Sequence, residues 1–275
     1  MKKFSTLPNA TWRLLDTGES DGITNMAVDE AIMYAVREKK SPPTLRFYGW
    51  SPPCVSIGYL QSIDEIDLEI CREKGYSLVR RLTGGRAVLH IDELTYSVIA
   101  SQEEAQVAGD ILTSYRRLSL GLVKSLQILG CNVTQSDCYK SHKQGSSACF
   151  EIPSHYEVKS YGRKLIGSAQ VRRNGVILQH GAIPLKGDIS RLTDVLTISE
   201  SDKDNLREKL LKRAIALDES IGRDATYDEV VKVIVKGFEQ ALNLNFETGT
   251  LSDYEKVEAA KLKIKYLDDK WTHRK

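Results

Sequence analysis

The central part of the sequence alternates between strand patterns and tight turns, and this alternation constrains the fold most. Runs rich in β-branched and aromatic residues, such as TLRFYGW and GVILQHGAIPL, recur between residues 45 and 185. The dipeptides Tyr161-Gly162 and Asn174-Gly175, which are typical of hairpin turns, separate consecutive runs. Because hairpins join antiparallel strands, we predict an α+β fold of mixed β-sheets flanked by helices, not a doubly wound parallel sheet.

Helical patterns flank this strand-rich region. Residues 25–39 place apolar side chains on one face, with Thr24 or Asn25 as the expected N-cap, and residues 110–129 repeat the pattern up to Gly130. Residues 64–74 also read as a helix, whereas AVLHIDELTYSVIA reads as one long strand.

The C-terminal part of the chain is predicted to be helical. Capping-box pairs open two helices there, at Thr226 with Glu229 and at Ser252 with Glu255. We therefore expect a core over residues 1–187 and a helical segment over residues 188–275 that packs on the same domain.

Composition and charge exclude several classes of protein. The chain has 275 residues, 41% of them hydrophobic and 28% charged, and its net charge of +2 gives no general reason to bind nucleic acid. The start, MKKFSTLPNATW, lacks the apolar stretch of a secretory signal, and no window reaches the roughly 18 apolar residues of a membrane helix. We expect a cytoplasmic protein that does not enter a membrane.

The stretch RRLTGGRAVLH, residues 80–90, lies between two predicted strands. It matches neither the phosphate-binding pattern G-x-x-x-x-G-K-[ST] nor the dinucleotide pattern G-x-G-x-x-G. Adjacent glycines can adopt positive φ and bring backbone N–H groups close to a ligand, because no Cβ intervenes. Two interpretations stay open at this point, a loop that holds a ligand and a tight turn with exposed arginines.

The five cysteines stand at positions 54, 71, 131, 138 and 149. Their number is odd and no C-x-x-C pair occurs, so the sequence predicts neither a disulfide framework nor a zinc site. Only Cys149 has a special context, since it ends a long polar loop and can meet Lys164 if the residues between them form a hairpin at Gly162.

A cysteine beside a lysine is a candidate nucleophile for acyl transfer. A free thiol has a pKa of about 8.5, and a nearby ammonium lowers that pKa and raises the thiolate fraction. The alternative is a structural Cys149 with a solvated Lys164, and His155 is a competing base.

Four motifs, in this order, resemble the lipoate-protein ligase and octanoyltransferase superfamily: RFYGW…SIGYLQ, RRLTGGRAVLH, GRKLIGSAQ and GVILQHGAIPL. The resemblance runs from about Trp12 to the C-terminus. Within the superfamily the chain is most similar to the LipM-type octanoyltransferases, whose catalytic cysteine lies in a segment S-S-x-C-F, matched here by Ser146–Phe150. Four ordered motifs are far more specific than any one of them.

The resemblance implies a fold shared with biotin-protein ligases and a tunnel for a linear acyl chain. In such enzymes the cysteine takes octanoyl from acyl carrier protein as a thioester. A lysine of the glycine cleavage H protein, or of another lipoyl domain, then removes it as an amide. Thioester exchange is close to neutral in energy and amide formation is downhill, so the resemblance implies neither ATP nor any other cofactor, and no metal.

Matching the motifs residue by residue implies roles for individual side chains. Cys149 is the expected nucleophile and Lys164 the residue that lowers its pKa. The residues expected to bind substrate are Arg80, Gly84, Gly85, His90, Gly167, Ser168 and His180. The base that deprotonates the acceptor amine stays open among Lys164, His90 and water. The basic pair Arg172 and Arg173 suggests a docking surface for the acidic carrier protein.

Three alternatives are set against the octanoyltransferase interpretation. An ATP-dependent lipoate ligase ranks second, although such ligases usually have a third glycine where this chain has Arg86. An amidotransferase that moves octanoyl between lipoyl domains ranks third, because it departs from the Gly-Gly-Arg and Gln-His-Gly patterns. A non-catalytic acyl-binding module ranks last, and it predicts that replacing Cys149 leaves function intact.

Overall fold

The structure, a computed structural model, describes residues 7–135 and 158–274, and the described strands form two mixed sheets. The strands are β1 (Ala10–Ser20), β2 (Thr44–Trp50), β3 (Cys54–Ile57), β4 (Ser77–Arg80), β5 (Val88–His90), β6 (Glu93–Ser101), β7 (Val133–Gln135), β8 (Val158–Ser160), β9 (Arg163–Arg173), β10 (Val176–Pro184) and β11 (Leu244–Thr248). The larger sheet has the order β11-β1-β2-β6-β10-β9-β8-β7, and the smaller has the order β4-β3-β5.

Strand directions confirm the α+β prediction. Strand β1 runs parallel to both of its neighbours, β2 and β11, whereas the pairs from β2 through β6, β10 and β9 are antiparallel. Hairpins at Tyr161-Gly162 and Asn174-Gly175 connect β8 to β9 and β9 to β10, as the turn signals predict, with positive φ at all four residues.

Seven of the eight described helices begin at a side-chain cap, and the short helix that follows Ala216 does not. They are α1 (Gly22–Arg37), α2 (Leu68–Glu73), α3 (Ile111–Ile128), α4 (Glu200–Arg213), α5 (Leu217–Ile221), α6 (Tyr227–Leu242), α7 (Asp253–Leu267) and α8 (Asp269–Thr272). The caps Thr226 and Ser252 open α6 and α7 as predicted. The predicted cap of α1 is wrong, because the Asp21 carboxylate accepts the Thr24 backbone N–H and begins the helix earlier.

The larger sheet is covered on both faces. Helices α3 and α6 bury one face around Leu118 and Phe238. Helices α1 and α7 bury the other face around Ile32 and Leu262. The smaller sheet packs against α2 and α4 in a third apolar cluster that includes Val55. Burial of these stripes accounts for most of the stability of the layered arrangement.

Three predictions of secondary structure are wrong. The run AVLHIDELTYSVIA is not one strand, because Asp92 has φ +51° and the chain passes there from β5 in the smaller sheet to β6 in the larger one. Strands β1 and β11 lie outside the predicted strand-rich region, and the second of them interrupts the otherwise helical C-terminal segment. Residues 64–74 form a 3₁₀ turn and the short α2, separated by extended backbone at Ile66 and Asp67.

Within residues 7–135 and 158–274, no helix combines the length and the apolar character that crossing a bilayer requires.

Candidate active site

A narrow apolar cavity lies between the two sheets. The larger sheet contributes residues of β2, β6, β9 and β10 to its wall, and the smaller sheet contributes residues of β3 and β5. The described residues of the wall are Met26, Tyr48, Trp50, Ser56, Arg81, Val88, His90, Thr95, Gly167, Ser168, Ala169, His180, Gly181 and Ala182. Its mostly apolar surface suits a hydrocarbon.

The Gly-Gly loop packs its backbone directly against another glycine. A Cβ on Gly58 would lie 1.9 Å from the carbonyl oxygen of Gly85, so only glycine fits at position 58. Gly85 itself has φ +98°, a conformation that favours glycine. A Cβ on Gly84, in contrast, would have no heavy atom within 4 Å. The loop is therefore fixed by a close backbone approach on one side and is open on the other.

Arg81 holds the Gly-Gly loop in place from within the protein. Arg81 donates to the carbonyl oxygens of Gly84 (2.9 Å) and Arg86 (2.8 Å), and it also donates to the Ser56 carbonyl (2.8 Å). Buried guanidinium groups of this kind hold several carbonyls at once, because five N–H donors project in one plane.

The Arg80 guanidinium is buried among backbone carbonyls. It donates to the carbonyl oxygens of Gly58 (2.8 Å) and Gln61 (2.6 Å), and to that of Thr272 in α8 (2.6 Å). These bonds tie the C-terminal helix to the strand that precedes the Gly-Gly loop. Arg80 is absent from the described wall of the cavity, so its expected contact with substrate stays a prediction.

His180 connects the cavity to a buried charge network. Its Nε2 lies 2.6 Å from the Thr83 hydroxyl, which precedes the Gly-Gly pair, and its Nδ1 lies 3.6 Å from the Asp29 carboxylate. Asp29 also pairs with Arg46 at 2.7 Å and accepts the Tyr48 hydroxyl at 3.0 Å. Burial alone would raise the pKa of Asp29, but the Arg46 and His180 side chains outweigh it and hold that pKa below its usual value.

His90 forms part of the wall together with Trp50. The two rings stack with centroids 3.9 Å apart and an interplanar angle of 14°. The His90 Nε2 lies 2.8 Å from the Ser56 hydroxyl, and its Nδ1 lies 3.5 Å from the Glu93 carboxylate. Burial lowers the pKa of His90, against the opposing effect of Glu93, so the ring is neutral at pH 7.

The segment from Gly167 to Ala169 forms the wall along β9. The Ser168 hydroxyl lies 2.8 Å from that of Tyr96, and the Ser168 carbonyl accepts the Tyr115 hydroxyl at 2.8 Å. Gly181 faces Ser168 across the β9–β10 pair, and a Cβ there would lie 2.5 Å from the Ser168 Oγ. Small residues at this point leave the backbone of two strands close to whatever the cavity holds.

Lys164 is buried on β9, three residues before Gly167, with 2% of its surface exposed. Its carbonyl accepts the Ile215 N–H at 3.0 Å, which joins β9 to the start of α5. A fully buried lysine is rare in a folded protein and marks its surroundings as a functional candidate. Cys149 and His155 lie outside the described residues.

The described cysteines are poor nucleophiles. Cys54, Cys71 and Cys131 are buried free thiols. Burial raises the pKa of Cys54 to about 12 and that of Cys71 to about 11, and it also raises the pKa of Cys131. At pH 7 each of these thiols is overwhelmingly protonated.

The cavity thus brings together His90, Gly167, Ser168 and His180 of the expected substrate-binding residues. The sequence reasoning missed several residues of this site. They are Trp50, Arg81 and the buried pair of Asp29 and Arg46. The sequence carried a signal for Arg46, which is the one charged residue of strand β2, but Asp29 lies on a helix whose buried residues also include Asn25 and Glu30.

Comparison with known proteins gives the same family throughout. The sequence profile of the Lipoyl protein ligase A/B catalytic domain matches residues 21–239. An octanoyltransferase LipM of Moorella thermoacetica is 46% identical over 98% of this chain and 100% of its own length. An octanoyltransferase LipM of Bacillus subtilis is 40% identical over 96% of this chain and 99% of its own length.

Two solved structures with this fold are lipoate-protein ligases. A bi-partite lipoate protein ligase of Thermoplasma acidophilum superposes with a TM-score of 0.80 at 28% identity, covering 96% of this chain and 97% of that one. A lipoate-protein ligase A bound with ATP gives a TM-score of 0.78 at 28% identity, covering 97% of this chain and 99% of that one. This chain is 40–46% identical to these transferases over nearly whole chains, but it is 28% identical to these ligases. The chain belongs to the LipM family of octanoyltransferases, and it is an octanoyltransferase of lipoate biosynthesis built on the lipoyl protein ligase A/B catalytic domain.

Proposed function

We propose that this octanoyltransferase takes its acyl group from octanoyl-acyl carrier protein and holds it as a thioester on Cys149. It then delivers the group to a lysine of the glycine cleavage H protein or of another lipoyl domain. The observation that carries the proposal is the apolar cavity between the two sheets, whose wall includes Gly167 and Ser168 on the same strand as the buried Lys164. The octanoyl chain and the lysine proposed to lie beside the thioester would thereby contact the same strand.

The cavity supplies binding energy for the hydrocarbon. Seven carbons lie beyond the carbonyl of an octanoyl group, and burial of each contributes about 0.8 kcal/mol, or roughly 6 kcal/mol together. This gain does not depend on the phosphopantetheine or on the carrier protein. It also persists after the acyl group moves to the enzyme, so it keeps the octanoyl chain in the cavity between the two steps.

The first chemical step is thioester exchange. The Cys149 thiolate attacks the octanoyl carbonyl, the bond to the carrier thiol breaks, and the carrier leaves as its thiolate. A Lys164 ammonium beside Cys149 would favour the thiolate form of the nucleophile and would neutralise charge as the tetrahedral intermediate forms. Among the described cysteines burial raises the thiol pKa, which makes them unsuitable for this step.

The second step forms an amide and is limited by a proton. The acceptor lysine has a pKa of about 10.4, so deprotonating it at pH 7 costs about 4.6 kcal/mol. The neutral amine attacks the thioester carbonyl, its nitrogen gives up a second proton to water or to the departing sulfur, and the carbon–sulfur bond to Cys149 breaks. No ATP enters either step. The proposal includes a reducing, cytoplasmic setting, since the described cysteines are free thiols.

The test is intact-mass spectrometry after mixing the protein with octanoyl-acyl carrier protein in the absence of ATP. We expect one octanoyl adduct that hydroxylamine removes. The adduct should be absent from Cys149→Ala, retained in Cys138→Ala, and formed at least tenfold more slowly by Lys164→Ala. An exposed lysine on α3 provides the matched control, Lys124→Ala, whose rate should equal that of the wild type. An adduct that persists in Cys149→Ala would contradict the proposal.

A further inference from the structure

A second cavity lies at the edge of the larger sheet, and its wall is acidic. Trp50 and His90 line both this outer cavity and the apolar one. The charged residues of its described wall are Glu19, Asp92, Glu93, Lys186 and Asp224. Arg191 neutralises Asp92 at 2.8 Å, which leaves three carboxylates against one lysine in that wall. The outer cavity therefore carries negative charge at pH 7.

The carboxylates of the outer cavity differ in depth. Glu19 and Asp224 are exposed at its mouth, whereas only 4% of the Glu93 side chain is exposed. The Trp50 indole donates to the Thr95 hydroxyl at 2.9 Å, and that hydroxyl donates to Glu93 Oε1 at 2.7 Å. The Glu93 carboxylate is therefore held in a fixed position below an acidic mouth.

Two buried polar atoms of this wall have no hydrogen-bond partner among the described residues. They are Glu93 Oε2 and His90 Nδ1, and Nδ1 lies 3.5 Å from Glu93 Oε1. His90 Nε2 lies 2.8 Å from the Ser56 hydroxyl, and in the tautomer whose proton is on Nε2 the Nδ1 atom is an acceptor. A buried carboxylate oxygen without a partner costs free energy. A ligand with positive charge and several N–H donors, such as a primary ammonium, would satisfy both atoms.

The strand register places Glu93 near the centre of the proposed reaction, and this step rests on the proposed function. Lys164, the residue proposed to lie beside the thioester, is on β9. Glu93 pairs with Pro184 of β10, and β10 pairs with β9. Two strand spacings, about 10 Å, therefore separate Glu93 from β9.

Backbone hydrogen bonds also bring Lys164 close to the wall of the outer cavity. The Lys164 carbonyl accepts the Ile215 N–H at 3.0 Å. The carbonyl of Leu185, a residue of the wall, accepts the Asp218 N–H at 3.0 Å. Lys164 and Leu185 therefore meet the same short segment, residues 215–218, and the outer cavity lies beside the proposed thioester.

An acceptor lysine that approaches this centre needs a carboxylate on its path. Its pKa of about 10.4 keeps it protonated at pH 7, and a Lys164 ammonium beside the thioester would repel it. Removing the ammonium from water costs further free energy unless an anion pairs with it. The buried Glu93 carboxylate offsets both costs.

We infer that the outer cavity receives the acceptor lysine, with Glu93 binding its ammonium and with Glu19 and Asp224 attracting it at the mouth. Glu93 binds the amine while it is protonated, and the proton is lost afterwards, in the second step of the proposed reaction. Glu93 is thus a binding residue for the second substrate.

The test compares two nucleophiles on one acyl-enzyme. The octanoyl-enzyme is made from octanoyl-acyl carrier protein, freed of carrier, and mixed at pH 7 with either the unlipoylated H protein or hydroxylamine. Intact mass follows the loss of the octanoyl group. Hydroxylamine is uncharged at pH 7, whereas the acceptor lysine is a cation, so Glu93→Gln should lower the ratio of the H-protein rate to the hydroxylamine rate at least tenfold. Because both rates come from the same preparation, partial unfolding of a variant does not change this ratio.

Two further variants make the result specific. Glu255→Gln also removes a buried carboxylate, but one that pairs with Arg13 and is absent from the described wall of the outer cavity, so it should keep the wild-type ratio. The double variant Glu19→Gln/Asp224→Asn changes only exposed residues. It should lower the ratio about threefold at low salt, and by less as salt screens the charges.

Three results would overturn the inference: an unchanged ratio in Glu93→Gln, an unchanged ratio in the double variant, or an equal fall in Glu255→Gln. In each case the wild type still transfers octanoyl to the H protein, so the proposed function stands. If Glu93→Gln formed no acyl-enzyme, the double variant would decide alone. A wild type that formed no adduct, or whose adduct reacted with hydroxylamine but never with the H protein, would instead remove the proposed function and the inference with it.

Discussion

Single residues determine the shape of the Gly-Gly loop, and a substitution at Gly58 is the simplest test of this. A Cβ at Gly58 would collide with the Gly85 carbonyl at 1.9 Å, so Gly58→Ala must push the loop away from the smaller sheet. We expect it to lower the free energy of unfolding by about 2 kcal/mol and to slow adduct formation more than tenfold. Urea denaturation and intact-mass kinetics measure the two effects.

Gly84 is the matched control for this change. No heavy atom lies within 4 Å of a Cβ built there, and its φ lies outside the left-handed range. Gly84→Ala should therefore unfold at the wild-type urea concentration. Slower acyl transfer at unchanged stability would support its expected contact with substrate. Equal destabilisation by both alanines would refute the packing argument.

Asp29 links the stability of the protein to pH. Its pKa is depressed in the folded state, so the ionised carboxylate stabilises the protein above the unfolded pKa of about 3.9, and this contribution is lost as pH falls through the folded pKa. Asp29→Asn leaves Arg46 buried without its counter-charge, and we expect a loss of about 3 kcal/mol at pH 7. Urea denaturation at pH 7 and at pH 3 should find the difference from wild type smaller at the lower pH.

The control for Asp29 is a surface ion pair. Asp204 is 76% exposed and pairs with Arg207 on the same helix, so Asp204→Asn should change stability by less than about 1 kcal/mol. A difference between Asp29→Asn and wild type that did not vary with pH would mean that the carboxylate is not ionised in the folded protein.

At the scale of elements, one ion pair attaches α7 to the larger sheet. Glu255 is completely buried and binds Arg13 of β1 through both carboxylate oxygens, at 2.5 and 2.9 Å, while accepting the Ser41 hydroxyl. Burial would raise the pKa of Glu255, but the Arg13 side chain and the N–H of its own cap lower it below the usual value. We expect Glu255→Gln to cost about 3 kcal/mol and to increase amide exchange throughout α7.

Glu258, one turn later on α7, provides the comparison. It pairs with the mostly exposed Lys261, so Glu258→Gln should cost less than about 0.5 kcal/mol. If the two substitutions proved equally costly, α7 would not depend on its contact with β1.

Elements whose signals are local could be predicted from the sequence. The caps Thr226 and Ser252 and the hairpins at Gly162 and Gly175 are all decided by residues within one turn. Strands β1 and β11 were missed because the pairing of residue 10 with residue 244 has no local signature. The break at Asp92 was missed because the apolar pattern continues through it, although the two halves belong to different sheets.

The residues of the candidate site show the same difference between those with a signal in the sequence and those without one. His90, Gly167, Ser168 and His180 were expected from motif resemblance, and they line one cavity. Trp50 was missed because its position in the wall depends on stacking against His90, and the two strands that carry these rings belong to different sheets. A buried contact between sheets leaves no periodic pattern in either strand.

At the scale of the whole molecule, the C-terminal segment supports the site from a distance. Its strand β11 extends the larger sheet, and α6 packs on α3. The Thr272 carbonyl accepts a hydrogen bond from the Arg80 guanidinium. The bond to Arg80 reaches the strand that leads directly into the Gly-Gly loop. The segment is therefore part of the structure that positions the loop.

Carrier docking also belongs to this scale. The guanidinium groups of Arg173 and Arg274 lie 4.8 and 3.8 Å from the Tyr59 ring centroid, whereas Arg172 is bound to the carbonyls of Gly109 and Asp110. Charge reversal is therefore informative at Arg173 alone. We expect Arg173→Glu to raise the KM for octanoyl-acyl carrier protein about fivefold at low salt, with kcat unchanged, and the effect to fade as salt screens it.

Reversal of an exposed charge elsewhere is the control for docking. Lys212 on α4 is 75% exposed, and Lys212→Glu should leave the KM for the carrier protein at its wild-type value. Unchanged kinetics in Arg173→Glu would remove this surface from the docking account.

The most direct test of the central claim is a single-turnover transfer from the isolated acyl-enzyme. The octanoyl-enzyme is freed of carrier protein and mixed with the unlipoylated H protein without ATP, and the masses of both proteins are followed with time. We predict that the octanoyl group leaves the enzyme and appears on one lysine of the H protein at the same rate. Octanoylation of the H protein only when ATP and free octanoate are added would contradict it and would indicate a ligase.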